Sequence, residues 1–121
     1  MRFKYSRFGL LIACGLAGVM LAGCAAQRQP LYHWGTFNAQ QYSYFKGDKS
    51  PEESIQALEK VRLDAKAAGR PLPPGLQAHL AMLYGQTGRT DLFELNLQAE
   101  RQQFPESAAY IDFLLKNKTN K

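Results

Sequence analysis

The sequence predicts an all-α domain of short antiparallel helical hairpins, preceded by an N-terminal segment that is removed during export. Apolar residues recur at helical spacing in successive windows after residue 50. Glycine and proline separate these windows. No alternating stretch of useful length predicts a strand, and 121 residues leave room for one small domain.

The first 23 residues have the pattern of a secretory signal peptide. Arg2, Lys4 and Arg7 supply a positive start, and the fifteen residues 8–22 carry no charge. A membrane-spanning helix needs about 20 apolar residues. We therefore interpret residues 1–23 as an export signal that is cleaved, and not as a retained anchor.

This apolar run ends in Leu21, Ala22, Gly23 and Cys24, which resemble the lipobox of bacterial lipoproteins. The resemblance implies cleavage between Gly23 and Cys24, diacylglycerol on the Cys24 thiol and an acyl chain such as palmitate on its new amino group. Two or more such chains hold a protein firmly to a bilayer, whereas one binds only marginally. Apart from these covalent lipids we expect no cofactor. The remaining cysteine, Cys14, lies in the removed segment, so no disulfide is expected.

The positive charge of the chain is concentrated in the part that is removed. The formal net charge is +5, but three of the fifteen Lys and Arg residues precede Cys24, which leaves twelve against ten acidic residues. A net charge of +2, scattered along the chain, is too small for a nucleic-acid surface. We therefore expect no nucleic-acid partner.

Residues 24–30 comprise the lipidated cysteine and a short tether, and residues 31–117 are predicted to form the folded domain. Six extended residues span at most about 20 Å, so the domain would lie close to the bilayer. Its first part is unusually aromatic, and a short helix is expected after the break at Gly35 and Thr36. The aromatic residues of this segment, 31–45, are Tyr32, Trp34, Phe37, Tyr42, Tyr44 and Phe45.

Four further helices are predicted from capping and breaking signals. Ser50 and Pro51, followed by two glutamates, are typical of a helix start, and Gly69 with three nearby prolines ends this helix. The next helix is expected over 76–86 and is closed by Gly88. Thr90 is predicted to cap the third, which stops near Pro105, and Ser107 to cap the last. Residues 118–121 are predicted to be a flexible tail.

The last predicted helix, AAYIDFLLK, is apolar around nearly its whole circumference. A helix of this kind is normally buried, yet a domain of this size leaves little protein to cover its outer side. We expect this helix to meet a partner chain or a second copy. Alternatively, the aromatic segment 31–45 folds back over it.

Leu80, Ala81, Tyr84, Gly88 and Pro105 resemble part of the tetratricopeptide pattern. In that family the small residue lets two helices approach, the tyrosine packs between them and the proline ends the second helix. The match is incomplete, because Gln77 stands where tryptophan is usual and Phe93 where a small residue is usual. We predict a degenerate tetratricopeptide-like array, with an ordinary helical hairpin domain as the alternative.

A closer resemblance covers roughly residues 31–116. The segments LYHWG (31–35), LPPGLQAHL (72–80) and FPES (104–107), the last leading to DFLL (112–115), are similar to a family of small Gram-negative lipoproteins of unknown function. Members are typically encoded beside a lipoprotein similar to the curli secretion channel. The resemblance implies an accessory subunit of an outer-membrane lipoprotein assembly. Ala25, and not aspartate, follows Cys24, which favours the periplasmic face of the outer membrane.

No residue pattern predicts catalysis or a metal site. His33 and His79 are the only histidines, and neither has a metal-ligating residue four positions later. No pattern around Ser43, Ser50 or Ser107 indicates a nucleophile. We expect a protein that is not an enzyme and holds no metal, with a cell-wall-active periplasmic enzyme as the alternative.

The sequence instead favours an interaction domain. We select Tyr32 and Trp34 as contact residues because Tyr and Trp are enriched at binding hot spots. Phe113 and Leu114 are selected because they lie on the last helix, which is apolar all round. The expected partners are other outer-membrane lipoproteins or a second copy of the chain. The alternatives are that the aromatic rings of segment 31–45 lie at lipid headgroups, as part of a membrane-surface element, or that they pack in the core.

Overall fold

The computed structural model describes residues 28–119, and in this part of the chain all regular structure is helical. The predicted all-α class is confirmed. The signal peptide, the lipobox and Cys24 lie outside the described residues. The elements are α1 (Phe37–Lys46), α2 (Pro51–Ala67), α3 (Leu76–Gln86), α4 (Thr90–Gln103), a 3-10 helix (Pro105–Ser107) and α5 (Ala108–Thr119). Within residues 28–119 no helix has the length and apolarity to cross a membrane.

Helix α2 begins as its sequence predicts. The Ser50 hydroxyl accepts a hydrogen bond from the Glu53 N–H, and the Glu53 carboxylate accepts one from the Ser50 N–H, which forms a capping box. Leu58, Val61 and Ala65 then recur at helical spacing and are buried. The helix ends at Ala67, ahead of Gly69, which adopts a left-handed conformation with φ +62°.

Helix α3 is the central element, because it packs against α2 on one side and α4 on the other. Six of its eleven residues are buried, including Leu76, Leu80 and Leu83. A Cβ atom at Gly85 would lie 3.2 Å from the ring of Phe93 on α4. The small residue that lets these two helices approach therefore lies on α3, and the large one lies on α4, which accounts for the unusual Phe93.

Two predicted helix caps are wrong. Thr90 is the first residue of α4, and Arg89 takes the capping position without a side-chain hydrogen bond. Ser107 lies inside the 3-10 helix and donates its hydroxyl to the Phe104 carbonyl oxygen at 2.7 Å. A capping residue must lie outside the helical turn with extended backbone, and Pro105 begins that turn too early for Ser107 to do so. Helix α5 begins at Ala108, directly after the 3-10 helix, and ends at Thr119.

The core has two parts. The larger one joins α1, α2 and α3, and its buried residues are Phe37, Leu58, Val61, Leu76, Leu80 and Leu83. The smaller one joins α3, α4 and α5 around Ala81, Leu97 and Ile111. Helices adjacent in sequence pack on each other in hairpins, so α1 and α5 form the two ends of the array.

Candidate functional site

The N-terminal aromatic segment begins along the loop between α2 and α3. The His33 N–H donates to the Pro71 carbonyl oxygen at 2.9 Å, and Arg70 hydrogen-bonds to Gln29. The Tyr32 ring meets the Phe104 ring edge-on, with 5.9 Å between centroids. These contacts bring the segment to the C-terminal end of α4.

Trp34 is partly buried: one part of its side chain packs on the core and the rest is exposed to solvent. Its ring stacks on the buried Phe37 at 6.3 Å, while 39% of the residue stays exposed. Tyr32 meets the Trp34 ring at nearly a right angle. In the described residues the ring–ring contacts of Tyr32 and Trp34 run to each other, to Phe37 and to Phe104, and none of these contacts reaches a ring of α5.

Helix α5 turns only part of its apolar surface inward. Ile111 is fully buried, and the half-buried Leu114 packs against the smaller core. Tyr110 and Phe113, one turn apart, are 52% and 59% exposed. In the single chain the outer face of α5 is therefore an open aromatic surface, and of the two predicted contact residues on this helix Phe113 is the exposed one.

Phe104 connects the aromatic segment with α5. On one side it meets Tyr32, and on the other it lines a cavity of about 330 Å³ that Tyr110 and Ile111 also line. We call the four side chains Tyr32, Phe104, Tyr110 and Phe113 the aromatic corner. Through Phe104, Tyr32 is thus connected with Tyr110, 78 positions later in the chain, where α4 turns into α5.

A buried carboxylate lies in the wall of this cavity. Glu100 on α4 is only 3% exposed, and its Oε1 accepts a hydrogen bond from the Gly75 N–H at 2.6 Å. Its Oε2 accepts a longer one, 3.4 Å, from the Ala78 N–H. Glu100 therefore caps the N-terminus of α3 from another helix, in the place of a local capping side chain.

A second carboxylate, that of Glu106, lines the same cavity and is exposed. The nearest cation in sequence, Arg101, forms an ion pair with Asp112 at 2.8 Å. None of the residues lining the cavity is basic; besides those named above they are Pro74, Gly75, Ala78 and Ser107.

A chain of polar contacts links Tyr84, Glu59, Arg62 and Asn96. Tyr84 donates its hydroxyl to Glu59 at 2.8 Å, and Arg62 bridges Glu59 and Asn96. Burial, and then the hydrogen bond from Tyr84 to Glu59, raise the pKa of Tyr84 to about 12. These side chains connect α2, α3 and α4, and Tyr84 has the structural role that its sequence position predicts.

The two histidines lie in different surroundings. His79 is 6% exposed and contacts the rings of Phe37 and Tyr44, and its Nε2 has no hydrogen-bond partner among the described residues. Burial lowers the pKa of His79 below its ordinary value. His33 lies on the half-buried N-terminal segment. Within residues 28–119 no three His, Cys, Asp or Glu side chains come close enough together to hold a metal ion.

Sequence reasoning selected Tyr32 and Phe113 but missed Phe104, Tyr110 and Glu100 as parts of one surface. The helix predicted to stop near Pro105 ends at Gln103, and Phe104 follows it with a non-helical backbone and meets the Tyr32 ring. No sequence pattern indicates the role of Glu100, because the N–H groups from which it accepts hydrogen bonds lie 22 and 25 residues earlier in the chain.

The fold and this corner define a small all-helical hairpin domain with an open aromatic surface at its C-terminal end. The chain belongs to the family defined by the domain of unknown function DUF4810, whose family model matches residues 31–114. Comparison with curated proteins and with solved structures finds no match.

Proposed function

We propose that this protein is a lipid-anchored interaction subunit on the periplasmic face of the outer membrane, and that it has no catalytic role. The observation that carries the proposal is the open aromatic surface of α5, with Tyr110 and Phe113 more than half exposed in a domain this small. Interfaces favour large rigid rings of this kind, because burying them gains much apolar area at little entropic cost.

The anchor in this proposal is Cys24, for which the lipobox sequence of residues 21–24 is the support. Six residues, 25–30, separate Cys24 from the domain that begins at residue 31. A link of that length spans at most about 20 Å when fully extended. The domain would therefore act next to the bilayer, where its partner should also be held.

The partner we propose is another outer-membrane lipoprotein, in the first place one similar to the curli secretion channel. The basis is the family resemblance of three sequence segments together with the matching family model over residues 31–114. A second copy of the chain is the competing partner.

Site-specific photocrosslinking in intact cells tests both the partner and the surface. A benzophenone amino acid is placed at Phe113 and, as the matched control, at Leu63, an exposed apolar residue on α2. We expect the variant at position 113 to capture the channel-like lipoprotein and the variant at position 63 to capture little of it. Equal capture at both positions, or capture of only a second copy at 113, would contradict the proposal.

The anchor is tested separately. Mass spectrometry should show acyl chains on the parent protein and none on the Cys24→Ser variant. In this variant the yield of the crosslink at position 113 should also decrease, because the domain is no longer held at the membrane surface. An unacylated natural product that starts at Met1 would refute the proposed location.

The membrane-surface alternative concerns the aromatic rings of segment 31–45. A chain from residue 25 onward, without lipid, should bind phospholipid vesicles if these rings face the bilayer. The proposal expects no such binding, because it places the exposed rings of the domain against a protein.

A further inference from the structure

The cavity beside the aromatic corner has the shape and charge of a receptor for a positively charged side chain. We infer that it binds the alkyl-ammonium or alkyl-guanidinium group of a lysine or arginine side chain on the partner protein. The inference rests on the proposed function, and it adds the chemistry by which the partner is recognised.

The first argument is the lining of the cavity. Its volume of about 330 Å³ lies at the lower end of the range of ligand-binding pockets, so it suits one long side chain better than a large molecule. Phe104, Ala78 and Ile111 supply apolar wall for the methylene stem of such a side chain. The Tyr110 ring, 52% exposed, supplies an aromatic face for its charged end.

The second argument is charge. Two carboxylates, from Glu100 and Glu106, line the cavity, and no basic side chain does. The N-terminus of α3 contributes about half a positive elementary charge, which offsets only part of the two negative charges. Arg101, which follows Glu100 in sequence, pairs with Asp112 on α5 instead. Among the described residues that line the cavity, two are therefore acidic and none supplies a cation.

The third argument is the remaining hydrogen-bonding capacity of Glu100. A carboxylate accepts about four hydrogen bonds, and Glu100 receives two, one of them long at 3.4 Å. The cap on α3 therefore leaves acceptor sites unused in a side chain that is almost fully buried. A cation in the cavity would use these sites and lower the cost of burying the carboxylate.

This site also gives a geometric reason for the exposed rings on α5. Tyr110 lines the cavity, and Phe113 lies one helical turn farther along the same face. A partner segment with a basic residue in the cavity could lay apolar residues across both rings. The partner surface would then carry Lys or Arg beside an apolar strip.

The test is a titration of the isotopically labelled chain from residue 25, followed by amide NMR shifts. The probes are n-butylammonium and n-butylguanidinium, which represent Lys and Arg, with n-butanol as the neutral probe of similar length. We expect saturable shifts at Ala78, Tyr110 and Ile111 with one or both cations, the stronger of which identifies the preferred side chain. The butanol affinity should be about tenfold weaker.

Two variants separate charge from simple apolar binding. Glu106→Gln should weaken cation binding about two- to fivefold, because this carboxylate is exposed and screened. Glu100→Gln keeps an oxygen for the Gly75 N–H and should weaken binding about tenfold or more, since its charge is buried. Glu52→Gln, which removes the same charge from the exposed start of α2, should change nothing.

Several results would overturn the inference. These are the absence of saturable shifts, butanol binding as strong as that of the cations, or unchanged binding in Glu106→Gln, a variant that touches no core contact. The purified domain needs neither lipid nor partner for this experiment. If the cations bind but the crosslink at Phe113 fails, the binding site stands and the proposed function is refuted. If the crosslink succeeds but the cations do not bind, the proposed function stands and this inference is refuted.

Discussion

At the scale of single residues, helical spacing in the sequence predicts the structural role of some buried side chains and not of others. Leu80, Ala81 and Tyr84 were predicted to be structural, and the structure places the first two in the core and joins the third to Glu59. Helical spacing reveals such residues, because it depends only on neighbours along the chain. The cap by Glu100 depends on a tertiary contact, so no local pattern could indicate it.

His79 makes the stability of the domain depend on pH. Burial against the rings of Phe37 and Tyr44 lowers its pKa in the folded state below 6.5, the value expected in the unfolded chain. Below pH 6.5 the unfolded state therefore binds more protons than the folded state does. The stability that neutral His79 contributes is thus fully present above this pH and is lost as the pH falls. The slope from one such group is at most about 1.4 kcal/mol per pH unit.

We expect the urea concentration at the unfolding midpoint to decrease when the pH is lowered from 7.5 to 5.5. This decrease should be smaller in His79→Gln. The matched variant His33→Gln, in the other histidine, should keep the dependence of the parent chain. An equal loss of pH dependence in both variants would contradict the assignment to His79.

At the scale of elements, the accuracy of the sequence-based prediction differs from one helix end to the next. The start of α2 was predicted correctly because its capping box is complete within four residues. The caps at Thr90 and Ser107 were predicted wrongly because the preceding turn determines which residue takes the capping position. Side-chain type alone does not determine that backbone conformation.

The capping box makes a testable contribution to the stability of α2. Ser50→Ala removes the acceptor for the Glu53 N–H and should lower the free energy of unfolding by about 1 kcal/mol. Thr36 is the matched control, because it stands at the N-cap of α1 without a side-chain hydrogen bond. Thr36→Ala should cost clearly less in the same urea titration, and equal costs would show that the box adds nothing.

Helix α5 allows its structural side to be separated from its open side. Leu114 packs against the smaller core, so Leu114→Ser should destabilise the domain by about 2 kcal/mol or more. Phe113 is 59% exposed, so Phe113→Ser should change the free energy of unfolding by no more than about 0.5 kcal/mol and should abolish capture of the partner. Urea titration together with a pull-down from membranes checks both; strong destabilisation by Phe113→Ser would place this ring in the core.

At the scale of the whole molecule, the sequence predicted the helices and their order but not the surface they form. Helical periods, glycines and prolines give the array of hairpins, because each signal is local. The aromatic corner joins Tyr32 to Phe104 and Phe104 to Tyr110 through tertiary packing. Two of the predicted contact residues, Tyr32 and Phe113, are therefore part of this corner, while Phe104, which links Tyr32 to Tyr110, was missed.

Each helix packs on its neighbour in sequence, and this has a consequence for how the chain acquires its structure. Contacts between near neighbours close short loops, and proteins dominated by such contacts fold in microseconds to milliseconds. Under the proposed export of the chain, these contacts would let it become compact soon after it emerges from the membrane. The buried residues of its larger core all lie at or before residue 83, so none of them belongs to α4 or α5.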